Sequence, residues 1–66
     1  PPEVVLRYLN TLVLLKPDSP QEHLNRALMR MRLNQNEKAK EDVRWLLENN
    51  PPGFSRDRLL ELFQRL

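Results

Sequence analysis

Sixty-six residues allow one small domain, and a chain of that size buries only about 60% of the surface its unfolded form exposes. With no cysteine and a single histidine, disulfides, thiolate metal sites and most other metal sites are excluded. Eleven basic residues, eight of them arginine, stand against nine acids, for a net charge of +2 and a pI near 9.5; charges so interleaved do not single out nucleic acid as a partner.

The prolines divide the chain. After Pro1-Pro2, a first helix is predicted over about residues 3–15, ended by Lys16-Pro17 because the residue before a proline is pushed out of the α region. Its apolar run from Val4 to Leu15 is interrupted by Arg7 and Asn10 and is too short for a bilayer, which needs ~20 apolar residues. Ser19-Pro20-Gln21-Glu22 opens a second helix over 20–33, with Ser19 as cap, Pro20 at the first helical position and Glu22 completing a capping box. Asn34-Gln35-Asn36 is a polar turn, and Asn36 is the expected cap of a third helix over 37–49. Asn49-Asn50-Pro51-Pro52-Gly53 stops that helix, and Ser55 caps a fourth over 55–66 with Asp57 favoured by the dipole of its first turn. No stretch alternates with a period of two, so the fold class is all-α: four short antiparallel helices.

The apolar stripes show how these helices pack. Leu24, Ala27, Leu28 and Met31 share one face of the second helix, and Ala39, Val43, Leu46 and Leu47 one face of the third. Glu22–Arg26 and Lys38–Asp42 are possible i, i+4 pairs on these helices. A turn of two or three residues between them makes a helical hairpin. The first helix differs, being apolar around most of its circumference. Leu6 and Leu14 therefore need a cover that three short partners cannot supply, either from upstream chain or from another copy. The 66 residues are accordingly expected to form one segment of a larger protein.

Pro17 and Pro51 lie 34 residues apart, and the same offset pairs Val5 with Ala39, Leu9 with Val43, Leu12 with Leu46 and Val13 with Leu47. That is the period of a tetratricopeptide repeat. At these residues the chain resembles the tetratricopeptide family. With Pro20 as the first position, Ala27 and Ala39 fall on its small-residue positions, Val43 and Leu46 on core positions, and Pro51 on the terminal proline. His23, Arg26 and Arg30 replace the usual aromatic, leucine and tyrosine, so the repeat is degenerate. The fourth helix, with Glu61 where alanine is expected, reads as a terminal cap with a wetter outer face. The runs His23-Leu24-Asn25-Arg26-Ala27-Leu28 and Lys38-Ala39-Lys40-Glu41-Asp42-Val43, followed by Pro51, are also similar to the C-terminal tails of bacterial transglutaminase-like proteins and their eukaryotic F-box relatives. This likeness covers about residues 5–66. In such proteins the catalytic-looking portion lies upstream.

Few residues invite chemistry. His23 has no second ligand or nucleophile to serve and is expected to pack. Ser19 and Ser55 are explained as caps, Glu37 and Glu41 lie on a solvated face, and no glycine-rich phosphate loop exists. No cofactor, metal or catalytic residue is expected, and the chain is read as not an enzyme. Arg26 and Arg30, one turn apart, need a negative charge: Asp42 or Glu22 for Arg26, or the carboxylate of a ligand. Trp45 lies off its helix's stripe and either seals the contact with the fourth helix near Leu59 or Phe63 or stands as an exposed anchor. The tetratricopeptide resemblance implies a concave ligand face lined by first-helix positions, which nominates Gln21, Leu24, Asn25, Leu28, Met31 and Arg32 as partner-binding, with Leu6 and Leu14 added from the apolar first helix.

The expected function is a non-catalytic protein–protein interaction segment that docks on an adjacent domain of the same chain or on another protein. A free-standing, self-associating or peptide-binding module is the alternative. Nucleic-acid binding ranks third, because acids interrupt every arginine cluster and no aromatic stacking platform is present. No membrane partner is expected. The lack of cysteine fits a reducing compartment, and hence a cytoplasmic location.

Overall fold

The computed structural model describes all residues from Pro1 to Leu66. It contains four α-helices and no strand: α1 (Pro2–Leu15), α2 (Pro20–Arg32), α3 (Asn36–Asn49) and α4 (Arg56–Arg65). α2 packs on α1 and on α3, and α3 packs in turn on α4. Each helix leans chiefly on its neighbours in sequence, the quasi-one-dimensional order of a helical repeat. The fold measures 30 × 25 × 15 Å. Every helix of so small a fold keeps exposed residues.

Small residues set the closest approaches. Ala27 of α2 and Ala39 of α3 are fully buried, and Ala27 shares the core with Val43, Leu46 and Leu59. Leu24, Trp45, Phe54, Phe63 and Leu66 close around this cluster. Arg44 and Lys40 lie over the Phe63 ring at 5.5 and 6.0 Å, so the stems of two α3 cations shield the edge of the contact with α4.

The helix ends correct three expectations. Ser19 occupies the N-cap of α2, but its side chain makes no cap hydrogen bond. Glu22 does not complete a capping box either, since its Oε2 is buried without a partner. Pro20 at the first position already removes one of the donors a cap serves. Asn36 is not the cap of α3 but its first residue; Gln35 stands at the cap, again without a side-chain bond. The reason lies in Asn34, which takes a left-handed conformation (φ 59°) and ends α2. The Gln35 amide donates to Arg30 O at 2.8 Å and the Asn34 amide to Met31 O at 3.0 Å, a Schellman closure that uses up the turn. Only Ser55 caps as expected, its Oγ accepting from the Arg58 amide at 3.3 Å. Asn50 ends α3 in the left-handed region, at φ 44°, and Arg56 Nη1 donates to the Leu47 carbonyl at 2.8 Å.

Candidate functional site

The only densely charged place inside the fold lies between α2 and α3. His23, Arg26 and Arg30 occupy one face of α2, at i, i+3 and i+7, and all three point at Asp42, which is 2% exposed. Arg26 Nε donates to Asp42 Oδ2 at 3.0 Å and its Nη2 to Oδ1 at 2.7 Å. Arg30 Nη1 donates to Oδ2 at 2.9 Å and also to the Lys38 carbonyl at 3.0 Å. One carboxylate thus resolves the repulsion between two arginines one turn apart. The expected Glu22–Arg26 and Lys38–Asp42 pairs do not form, because tertiary packing turns both Arg26 and Asp42 inward toward each other. With both guanidiniums committed to Asp42, this cluster is a clamp between helices.

His23 completes it. A carbonyl can only accept, so the contact of 2.7 Å between His23 Nε2 and Pro17 O assigns the proton to Nε2. The other nitrogen, Nδ1, is buried and faces Asp42 Oδ1 at 3.6 Å. The ring stacks on Trp45 with centroids 3.8 Å apart and planes within 10°. Trp45 does join the core beside α4, but the face of its indole is taken by α2, a partner that the sequence pattern does not indicate. No cluster of His, Asp and Glu suited to a metal ion gathers anywhere in the fold.

The surface residues nominated for binding fall into two hollows. Gln21 and Leu24 line one with Phe54, Ser55, Arg58 and Leu62, between the start of α2 and α4. Asn25, Leu28 and Arg32 line the other with Val5, Tyr8, Leu9 and Met29, between α1 and α2. Gln21 and Asn25 are linked across one turn, Gln21 Nε2 donating to Asn25 Oδ1 at 2.9 Å. Met31 is half-buried and lines neither hollow. Leu6 is half-buried, whereas Leu14 is 82% and Leu15 73% exposed. The lining residues that the sequence did not nominate include Val5, Tyr8, Leu9 and Met29 in one hollow and Phe54, Ser55, Arg58 and Leu62 in the other. The 34-residue offset held a signal for Tyr8, which it places opposite Asp42.

A family model described as tetratricopeptide repeat matches residues 2–64, nearly the whole chain. The chain belongs to the tetratricopeptide-repeat family. No curated protein and no solved structure matches it. In the repeat's terms α2 and α3 form one helical pair, while α1 matches α3 and α4 matches α2 one period away. Tetratricopeptide repeats are protein-interaction modules, and no helix here is long and apolar enough to cross a membrane.

Proposed function

We propose that this repeat segment is a non-catalytic docking element that attaches to a neighbouring domain or partner protein through α1. One observation carries the reading: α1 buries only Leu9 and Val13, and leaves Val4, Val5, Tyr8, Leu14 and Leu15 in solvent. Single exposed apolar residues are ordinary, but five on one short helix form a surface of the kind that marks an interface. The likeness to transglutaminase-like tails agrees with such a role, since a tail of that kind would rest on a domain preceding it. The Asp42 clamp then serves to hold α2 and α3 rigid beneath the docking helix.

Sedimentation equilibrium with thermal unfolding by circular dichroism tests this on the 66 residues. The expected result is concentration-dependent association, reduced by Leu14→Gln and Leu15→Gln together. A cooperative monomer, indifferent to concentration and to these substitutions, overturns the reading.

A second reading rests on the hollow between α2 and α4. Leu24, Phe54 and Leu62 give it an apolar floor, and Gln21 and Arg58 supply polar groups at its side. It suits an extended peptide with an apolar anchor and a nearby acid. Peptide-array binding lost on Leu24→Asp supports this use of the surface; binding that survives the substitution removes it.

A further inference from the structure

α3 has a helix packed on either side, α2 and α4, so it shows which positions of this repeat stay in water once stacking is complete. Its Lys38, Glu48 and Asn49 are exposed. One period of 34 residues earlier these positions are Val4, Leu14 and Leu15 of α1, and they are 48%, 82% and 73% exposed. A further repeat packed on α1 would cover Val5 and Tyr8, the counterparts of the buried Ala39 and Asp42, and would leave Val4, Leu14 and Leu15 bare. Continuation of the repeat therefore does not account for this face, where α1 carries a valine and two leucines in place of a lysine, a glutamate and an asparagine.

Val4, Arg7, Thr11 and Leu14 follow one another at steps of three, four and three residues, all exposed, on the side of α1 away from the buried Leu9 and Val13. That is the spacing of a two-helix seam. We propose that this seam pairs with α1 of a second copy, the two helices antiparallel about a two-fold axis. The inference rests on the docking reading above and names the occupant of that surface. The charges favour a second copy in this orientation. Arg7 is the one charge within the seam and makes no ion pair in the fold; a parallel pair would set it against itself. The antiparallel register that sets Val4 against Leu14 sets Arg7 against Thr11 instead. The Thr11 hydroxyl donates to the Arg7 carbonyl of its own helix at 3.2 Å, which leaves its oxygen to accept from the opposing guanidinium. The same register lays the end of α1 that bears Glu3 beside the end that bears Lys16, both exposed and neither ion-paired. Opposite charges and opposite helix termini are then neighbours. Apolar meets apolar and donor meets acceptor, with one surface supplying both sides, as a two-fold requires.

The test is sedimentation equilibrium in low salt on the native chain, Thr11→Glu, Thr11→Lys, and Thr11→Lys combined with Arg7→Glu. Far-UV circular dichroism verifies that each variant keeps its helices. The expected native species is a dimer, with nothing larger at high concentration. Thr11→Glu gives each Arg7 an opposing carboxylate and tightens the dimer about threefold or more, whereas Thr11→Lys weakens it by a similar factor. Adding Arg7→Glu to Thr11→Lys restores the affinity, and all these differences shrink as salt is raised. In a parallel pair Thr11→Glu would set two carboxylates on each other and weaken association. The proposal is overturned by assembly beyond a dimer, by a dimer that Thr11→Glu weakens, or by one indifferent to the charge at position 11. If association is still reduced by Leu14→Gln and Leu15→Gln in those cases, only the antiparallel second copy is lost and the docking reading stands. A monomer at every concentration removes both.

Discussion

Arg26 of α2 grips Asp42 of α3 with two donors, Nη2 on Oδ1 at 2.7 Å and Nε on Oδ2 at 3.0 Å. The same guanidinium reaches Asn10 of α1, Nη1 to Oδ1 at 3.4 Å. One side chain in the middle helix therefore ties three consecutive helices together. Removing one member of a buried ion pair costs about 3–5 kcal/mol, a large part of the total stability of a domain this small. Asp42→Asn is expected to lower stability by that amount, read as a lower midpoint in urea unfolding. The triple change Asp42→Leu, Arg26→Leu, Arg30→Met is expected to restore stability to the native level or above, since an apolar set avoids the desolvation of three charges. If Asp42→Asn leaves the midpoint unmoved, the clamp is not structural.

Ala27 sits where α2 comes closest to Val43, Leu46 and Leu59, with no accessible surface left. Ala27→Leu is expected to destabilise by about 1–3 kcal/mol through overpacking, despite leucine's good helix propensity. The check is a urea midpoint; an unchanged or raised midpoint shows that the helices can separate without loss.

Ser55 and Ser19 look alike in sequence but differ in contact. Ser55→Ala is expected to cost about 1 kcal/mol, the usual value for a working N-cap. Ser19→Ala should cost a few tenths at most, because the Ser19 hydroxyl makes no cap bond. Equal losses in thermal unfolding contradict the difference.

Asn34 adopts φ 59° in the closure of α2. Asn34→Gly is expected to be neutral or stabilising, and Asn34→Val to lose about 1–2 kcal/mol, because a β-branched side chain crowds the left-handed backbone and lacks the short polar group that lets asparagine adopt it. Far-UV circular dichroism melts of the two variants should separate in that order.

Secondary structure was legible because its causes are local. Prolines at 17, 20, 51 and 52 forbid helix on one side and favour it on the other, and the stripes of Ala27 and Ala39 follow from helical spacing alone. The 34-residue period, too, is a property of the sequence, and with it the family. Capping was less legible: whether a serine caps depends on whether its hydroxyl meets a free amide, and a preceding turn such as that at Asn34 can move the helix start by a residue.

What the sequence determined by itself was the number of helices, their order and the apolar excess of α1. Only the tertiary structure decided which charges meet, for Arg26 had candidate acids both four residues away and sixteen. Burial chose the distant one: Asp42 loses its water between α2 and α3 and is answered there by both arginines, whereas Glu22, one turn from Arg26 on the same helix, keeps its Oε2 without a partner. The same physics brought His23 onto Trp45 and divided Gln21 and Leu24 from Leu28 and Arg32 into separate hollows. Side chains adjacent on one helix belong to different surfaces once other helices pack on either side, and that division follows from packing direction in three dimensions.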